Sequence, residues 1–126
     1  MNSRILYIED NEQNLYLVTF ILQARGYEVI PARSGEEGIA LAAEVRARLI
    51  LLDIQLPGLD GYEIARRLRQ NPDLATTPIV AVTSYGMEGD REKALAAGCD
   101  GHIVKPINPD TFTSEIERFM EPEEER

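Results

Sequence analysis

Five short apolar runs, each followed by a longer amphipathic stretch, constrain this chain more than any other feature of its sequence. The runs are Ile5-Leu6-Tyr7-Ile8, Glu28-Val29-Ile30, Leu49-Ile50-Leu51-Leu52, Ile79-Val80-Ala81-Val82 and His102-Ile103-Val104. Their near-continuous apolarity, clearest in the third and fourth, fits strands covered by helices on both faces. Asn11 caps a first helix that carries Leu15, Val18 and Leu22 on one face and stops at Gly26, a good left-handed terminator. Ser34 with Glu37 forms a capping box ahead of Ile39-Ala40-Leu41, and Asp60 with Glu63 makes a similar start before Ile64 and Leu68. A fourth helix is predicted from about Asp90 to Ala97, ended by Gly98. In the last, Asn108 caps, Pro109 lies in the first turn, and Phe112, Ile116 and Phe119 repeat at helical spacing. This alternation predicts an α/β fold: a (βα)5 doubly wound parallel five-stranded sheet with right-handed crossovers and strand order 2-1-3-4-5.

A chain of 126 residues has room for one such unit and no second folded output module. Residues 1–121 form the expected domain and 122–126 a short acidic tail. The formal net charge of −9 removes the phosphate-tracking basic surface that nucleic-acid binding needs, so the expected partners are proteins. No apolar run approaches the roughly 20 residues of a membrane span, and the first residues show no signal-peptide pattern, so a cytoplasmic location is expected. Cys99 is the single cysteine, which excludes an intrachain disulfide and a multi-Cys metal cage. It reads as a small buried residue rather than a redox centre.

In an open parallel sheet, ligands bind beyond the carboxyl ends of the strands. The residues there are polar: Glu9-Asp10 after the first run, Asp53 after the third, Thr83-Ser84 after the fourth and Lys105-Pro106 after the fifth. Neighbouring strands lie about 4.8 Å apart, so Glu9, Asp10 and Asp53 can converge on one point. Three crowded carboxylates repel, and a hard divalent cation relieves the repulsion. An all-oxygen set suits Mg²⁺ rather than zinc, with the backbone carbonyl of Gln55 as a further ligand. Asp53, at the centre, is the candidate nucleophile toward phosphorus. The Thr83 hydroxyl and the Lys105 ammonium would neutralise the phosphoryl oxygens. Any one of these residues alone reads blandly, as a helix cap, a β residue or a solvated charge; their assembly on four strand ends does not.

The segments Ile8-Glu9-Asp10-Asn11, Leu52-Asp53-Ile54-Gln55-Leu56-Pro57-Gly58-Leu59-Asp60-Gly61, Val82-Thr83-Ser84 and Val104-Lys105-Pro106-Ile107 stand in an order and spacing that resembles the CheY-like receiver domain of two-component response regulators. The resemblance runs from about Arg4 to Met120. It implies that Glu9 and Asp10 help bind Mg²⁺, that Asp53 accepts phosphate from a phosphohistidine, that Thr83 is the switch hydroxyl and that Lys105 contacts the phosphoryl group. It also implies a cis Lys105-Pro106 peptide. The stretch from Thr83 to Asp90 and the Cys99-Asp100-Gly101 turn are similar to single-domain DivK-type regulators, which dock onto kinases and other signalling proteins rather than DNA. The implied partners are a sensor histidine kinase or histidine phosphotransfer protein and a downstream signalling protein.

Two positions depart from the family pattern. His102 stands where receivers commonly have Tyr or Phe, and reads first as a polar, partly buried ring rather than a pH sensor. Arg48 stands where an acidic residue often opens the third strand, and reads as a surface variation. Gln55 and Tyr85, two residues beyond Asp53 and Thr83, occupy positions that in the family tune water access to the phosphoryl group; both can equally be packing residues at the loop mouth. Two rival functions remain: a pseudo-receiver that binds protein without phosphorylation, disfavoured by the complete residue set, and an aspartyl-phosphate phosphatase, disfavoured because Asp53-Ile54-Gln55 lacks a second Asp. The expectation is a phosphoacceptor switch, not a turnover enzyme.

Overall fold

The computed structural model describes residues 3–56, 58, 60–84 and 89–120. Five strands, β1 (Arg4–Ile8), β2 (Glu28–Ala32), β3 (Leu49–Asp53), β4 (Ile79–Thr83) and β5 (Gly101–Val104), form one parallel sheet in the order 2-1-3-4-5. Helices α1 (Glu12–Gln23), α2 (Gly35–Val45), α3 (Gly61–Arg69), α4 (Asp90–Ala96) and α5 (Phe112–Glu117) follow the strands in turn. The expected fold class and strand order are those observed.

Strand alternation divides the core in two. Leu6, Ile8, Ile50, Leu52, Ile79 and Ala81 face α2, α3 and α4, whereas Ile5, Tyr7, Leu49, Leu51, Val80 and Val82 face α1 and α5. β3 and β4 are buried along their whole length, as strands covered on both sides must be. On the first face α2 comes so close that a Cβ on Gly38 would lie 2.5 Å from the Ile8 side chain.

The helix ends show where local chemistry prevails and where it yields. Asn11 caps α1 by accepting from the Asn14 N–H, and Gly26 takes the left-handed conformation at φ 89°. At α2 Ser34 Oγ accepts from the Glu37 N–H, but the Glu37 carboxylate reaches back one residue further than a standard capping box, to the Arg33 N–H at 2.8 Å. Asp60 caps α3 through the Tyr62 N–H, yet Glu63 does not reciprocate; its carboxylate pairs with Arg66 and Arg67 along the helix. Asn108 does not cap α5. Its side chain accepts from the Asp110 N–H and its carbonyl from the Thr111 and Phe112 N–H groups, closing a turn over Pro109-Asp110-Thr111, and the helix begins only at Phe112.

Arg48 is more than a surface variation: it is half-buried and donates to the Met120 carbonyl at 3.3 Å, joining the start of β3 to the end of the α5 region. Arg69, at the end of α3, donates to the carbonyls of Gly98, Leu74 and Thr77 and pairs with Asp100 at 2.7 Å, so one guanidinium collects backbone acceptors from the segments flanking β4. No helix among the described residues is long and apolar enough to cross a membrane. Cys99 is buried, which pushes its thiol up to about 11 and suits a packing role.

Candidate functional site

Side-chain parity builds the site. Tyr7 and Glu9 are two residues apart at the end of β1 and share a face; Glu9 continues the ladder by donating its N–H to the Ala32 carbonyl. Asp53 ends β3 on the side already occupied by Leu51, and Lys105 follows β5 on the side of Ile103. Because β1 and β3 pair directly, these chains meet at the carboxyl edge of the sheet. Carboxylate oxygens of Glu9, Asp10 and Asp53 lie within 4.8 Å of one another. Lys105 Nζ stands 3.1 Å from Glu9 Oε1 and 3.7 Å from Asp53 Oδ2.

Glu9 and Asp53 are almost wholly buried, at 1% and 3% exposure, while Asp10 faces solvent. Glu9 is held from three directions: the Tyr7 hydroxyl donates to Oε1 at 2.9 Å, the Asn11 N–H to Oε2 at 3.2 Å, and Lys105 to Oε1. Asp53 Oδ1 accepts the Gln55 N–H at 3.0 Å. Burial raises the Glu9 carboxyl, but its bonds with Asp53, Lys105, Tyr7 and Asn11 outweigh that and leave it below the usual range. Asp53 goes the other way. Desolvation first, then its hydrogen bond with Glu9 and that group's charge, push it up to about 6 against the opposing pull of the Gln55 N–H and Lys105. Burial, with Glu9 beside it, also raises the Tyr7 phenol, so it remains a donor.

Thr83 has the opposite parity on β4 and is 1% exposed. Gln55 reaches it: Nε2 donates to Thr83 Oγ1 at 2.6 Å, and Oε1 accepts the Ser84 N–H at 2.8 Å. The Lys105-Pro106 peptide is cis, and the Lys105 N–H donates to the Thr83 carbonyl at 2.7 Å. His102 stays outside this cluster. It pairs with Ala81, two residues before Thr83, and its Nε2 is buried without a hydrogen-bond partner. Tyr85, Pro57 and the tail from 122 to 126 lie outside the described residues.

Two contributors are absent from the sequence reading. Tyr7 looks like a core strand residue, and only its hydroxyl, two residues before Glu9, could have signalled more. The resemblance marks the Gln55 side chain only as one that tunes water access or packs at the loop mouth, and nothing in the sequence signals the two bonds its carboxamide makes to Thr83 and Ser84. Chemically, three carboxylates facing one ammonium leave an excess of negative charge, part buried and part open to water. An all-oxygen donor set of this kind fits a hard divalent cation that keeps some of its waters.

The family model for the response regulator receiver domain matches residues 5–117. The chain belongs to the response regulator receiver family. A polar-differentiation response regulator DivK of Brucella ovis is 39% identical over 120 residues, covering 95% of this chain and 98% of that protein. Among solved structures, the chemotaxis response regulator CheY4 of Vibrio cholerae superposes with a TM-score of 0.89 at 29% identity, covering 94% of this chain and 99% of that one. The receiver domain of a sensor histidine kinase from Pseudomonas aeruginosa, described with a magnesium ion coordinated in its active-site cleft, has a TM-score of 0.86 at 32% identity and covers 95% of this chain and 98% of its own. The receiver is therefore a CheY-like response-regulator domain of two-component signalling, similar to DivK.

Proposed function

We propose that this receiver takes a phosphoryl group from a phosphohistidine protein onto Asp53 and thereby changes its affinity for a downstream protein. The observation that carries this reading is the cluster of Glu9, Asp10 and Asp53 within 4.8 Å, with Lys105 Nζ 3.1 Å from Glu9 and 3.7 Å from Asp53. Glu9, Asp10, Asp53 and the Gln55 carbonyl would hold Mg²⁺, which when bound supplies positive charge to the phosphoryl oxygens.

An Asp53 carboxylate oxygen attacks phosphorus as the phosphorus–nitrogen bond breaks, and the electron pair leaves with the imidazole. Lys105 is already placed to offset the gathering negative charge. Glu9, held by Tyr7 and the Asn11 N–H, stays ionised beside it, so the site is kept attractive to cations. The Thr83 hydroxyl lies one side chain away, on Gln55. Phosphorylation adds about −1.5 to −2 of charge at this edge, and the response passes to a surface formed by α4, β5 and α5. The protein is a switch that assists its own phosphotransfer rather than a turnover enzyme.

Incubation with acetyl phosphate and Mg²⁺ tests this. Wild type is expected to gain one phosphoryl mass, and Asp53→Asn none. Equal labelling of both, or none of wild type, would remove Asp53 from the role.

A further inference from the structure

We propose that the Gln55 carboxamide is a latch that holds Thr83 and Ser84 in the resting arrangement and must let go when Asp53 is phosphorylated. This inference rests on the reading of Asp53 as phosphoacceptor and adds a positioning residue to it.

The orientation of the amide is fixed by chemistry. The Ser84 N–H can only donate, so the atom 2.8 Å from it is Gln55 Oε1. The amide nitrogen then faces Thr83 Oγ1 at 2.6 Å and donates to it. One side chain on the loop after β3 thus grips the last residue of β4 and the first residue beyond it. The strand frame beneath is continuous, with the Ile54 N–H on the Val82 carbonyl at 3.0 Å and the Lys105 N–H on the Thr83 carbonyl at 2.7 Å. The backbone of Thr83 is therefore anchored, and what the latch governs is the direction of its hydroxyl and the path of the chain leaving β4.

Parity gives this a consequence. Asp53 shares its face with Leu51 and Val82, which pack toward α1 and α5, whereas Thr83 shares its face with Ile79 and Ala81, which pack toward α2, α3 and α4. For its hydroxyl to serve oxygens on Asp53 it must turn across the strand end, away from Gln55 Nε2. The same Gln55 contributes its backbone N–H to Asp53 Oδ1 at 3.0 Å. The donor to Asp53 and the latch therefore sit on one residue, and a new group on Asp53 is felt directly where the Thr83 grip originates.

The test compares wild type, Gln55→Met and Gln55→Glu as full chains. Hydrogen exchange at the Ser84 amide is measured without ligand, beryllofluoride is titrated in the presence of Mg²⁺, and melting curves check that each variant folds. Methionine keeps the length and loses both bonds. A glutamate carboxylate can accept from the Ser84 N–H and from the Thr83 hydroxyl, so it keeps the grip. Gln55→Met is expected to exchange Ser84 roughly tenfold faster and to bind beryllofluoride about fivefold or more tightly, the low end of ordinary coupling factors. Gln55→Glu should retain wild-type protection at Ser84. Ser84 exchange that is the same in Gln55→Met and wild type overturns the latch, as does faster exchange with unchanged beryllofluoride affinity. A wild type that fails to respond to beryllofluoride overturns instead the phosphoacceptor reading, and with it the regulatory meaning of the latch.

Discussion

Asp53 is a carboxyl group 3% exposed, beside a second buried acid, with one lysine near both. Its pKa is pushed up to about 6 from an ordinary 3.8, so without a divalent cation and between those two pH values the folded state holds a proton that the unfolded chain has released. Stability must therefore fall as pH rises from about 4 to about 6 and stay level above. Glu9 has the opposite sign: its lowered pKa contributes stability above its ordinary 4.5, lost only as pH falls further. The window from 4.5 to about 6 accordingly belongs to Asp53. Melting curves in a chelator should show wild type losing stability across it relative to Asp53→Asn. At pH 7 the variant should be more stable by on the order of 1–3 kcal/mol. Parallel curves for the two proteins would remove the buried proton from the account. The acids were legible in the sequence because each stands at the end of an apolar run, where a parallel sheet gathers ligands. Tyr7 and the Gln55 amide were not, because a tyrosine within a strand reads as core and a glutamine in a loop has no periodicity to betray its direction.

At the scale of elements, strands and helices were legible to within a residue or two wherever an apolar period met a capping residue, as at Asn11 and Ser34. The start of α5 was not. Asn-Pro-Asp satisfies both a helix cap and a tight turn, and here the turn wins because Asn108 spends its side chain on Asp110. The sequence also could not show how α3 meets β3. A Cβ on Gly61 would lie 2.5 Å from Ile54 Cα and 2.7 Å from its carbonyl oxygen, backbone atoms that cannot swing aside. Gly61→Ala must therefore push the first turn of α3 off the segment that carries Gln55. A cost of about 1–3 kcal/mol is expected, together with weaker Mg²⁺ binding, both measurable by melting with and without the ion. Full stability in Gly61→Ala would mean that the loop yields freely and does not position the site.

Across the whole molecule, 22 acidic side chains face 13 basic ones, and folding adds to that imbalance by drawing three carboxylates to one edge of the sheet. Strand order 2-1-3-4-5 makes this unavoidable, since it sets β1 beside β3. The same order made the meeting legible from the alternation of runs alone. A cation held by that edge binds the folded state and not the dispersed acids of the unfolded chain, so it stabilises by mass action. At about one hundred times its dissociation constant, Mg²⁺ should contribute ~2.7 kcal/mol, which for a domain of this size raises the melting temperature by roughly 10 °C. NaCl at equal ionic strength should do less, because screening acts on every surface charge alike and relieves buried ones poorly. Asp53→Asn and Asp10→Asn should each lose most of the difference between the two salts. Since a proton on Asp53 competes with the cation, the Mg²⁺ increment in wild type should also shrink as pH drops below about 6. An increment equal in both salts, or indifferent to pH across that range, would show that the cation acts on the surface as a whole and not at this edge.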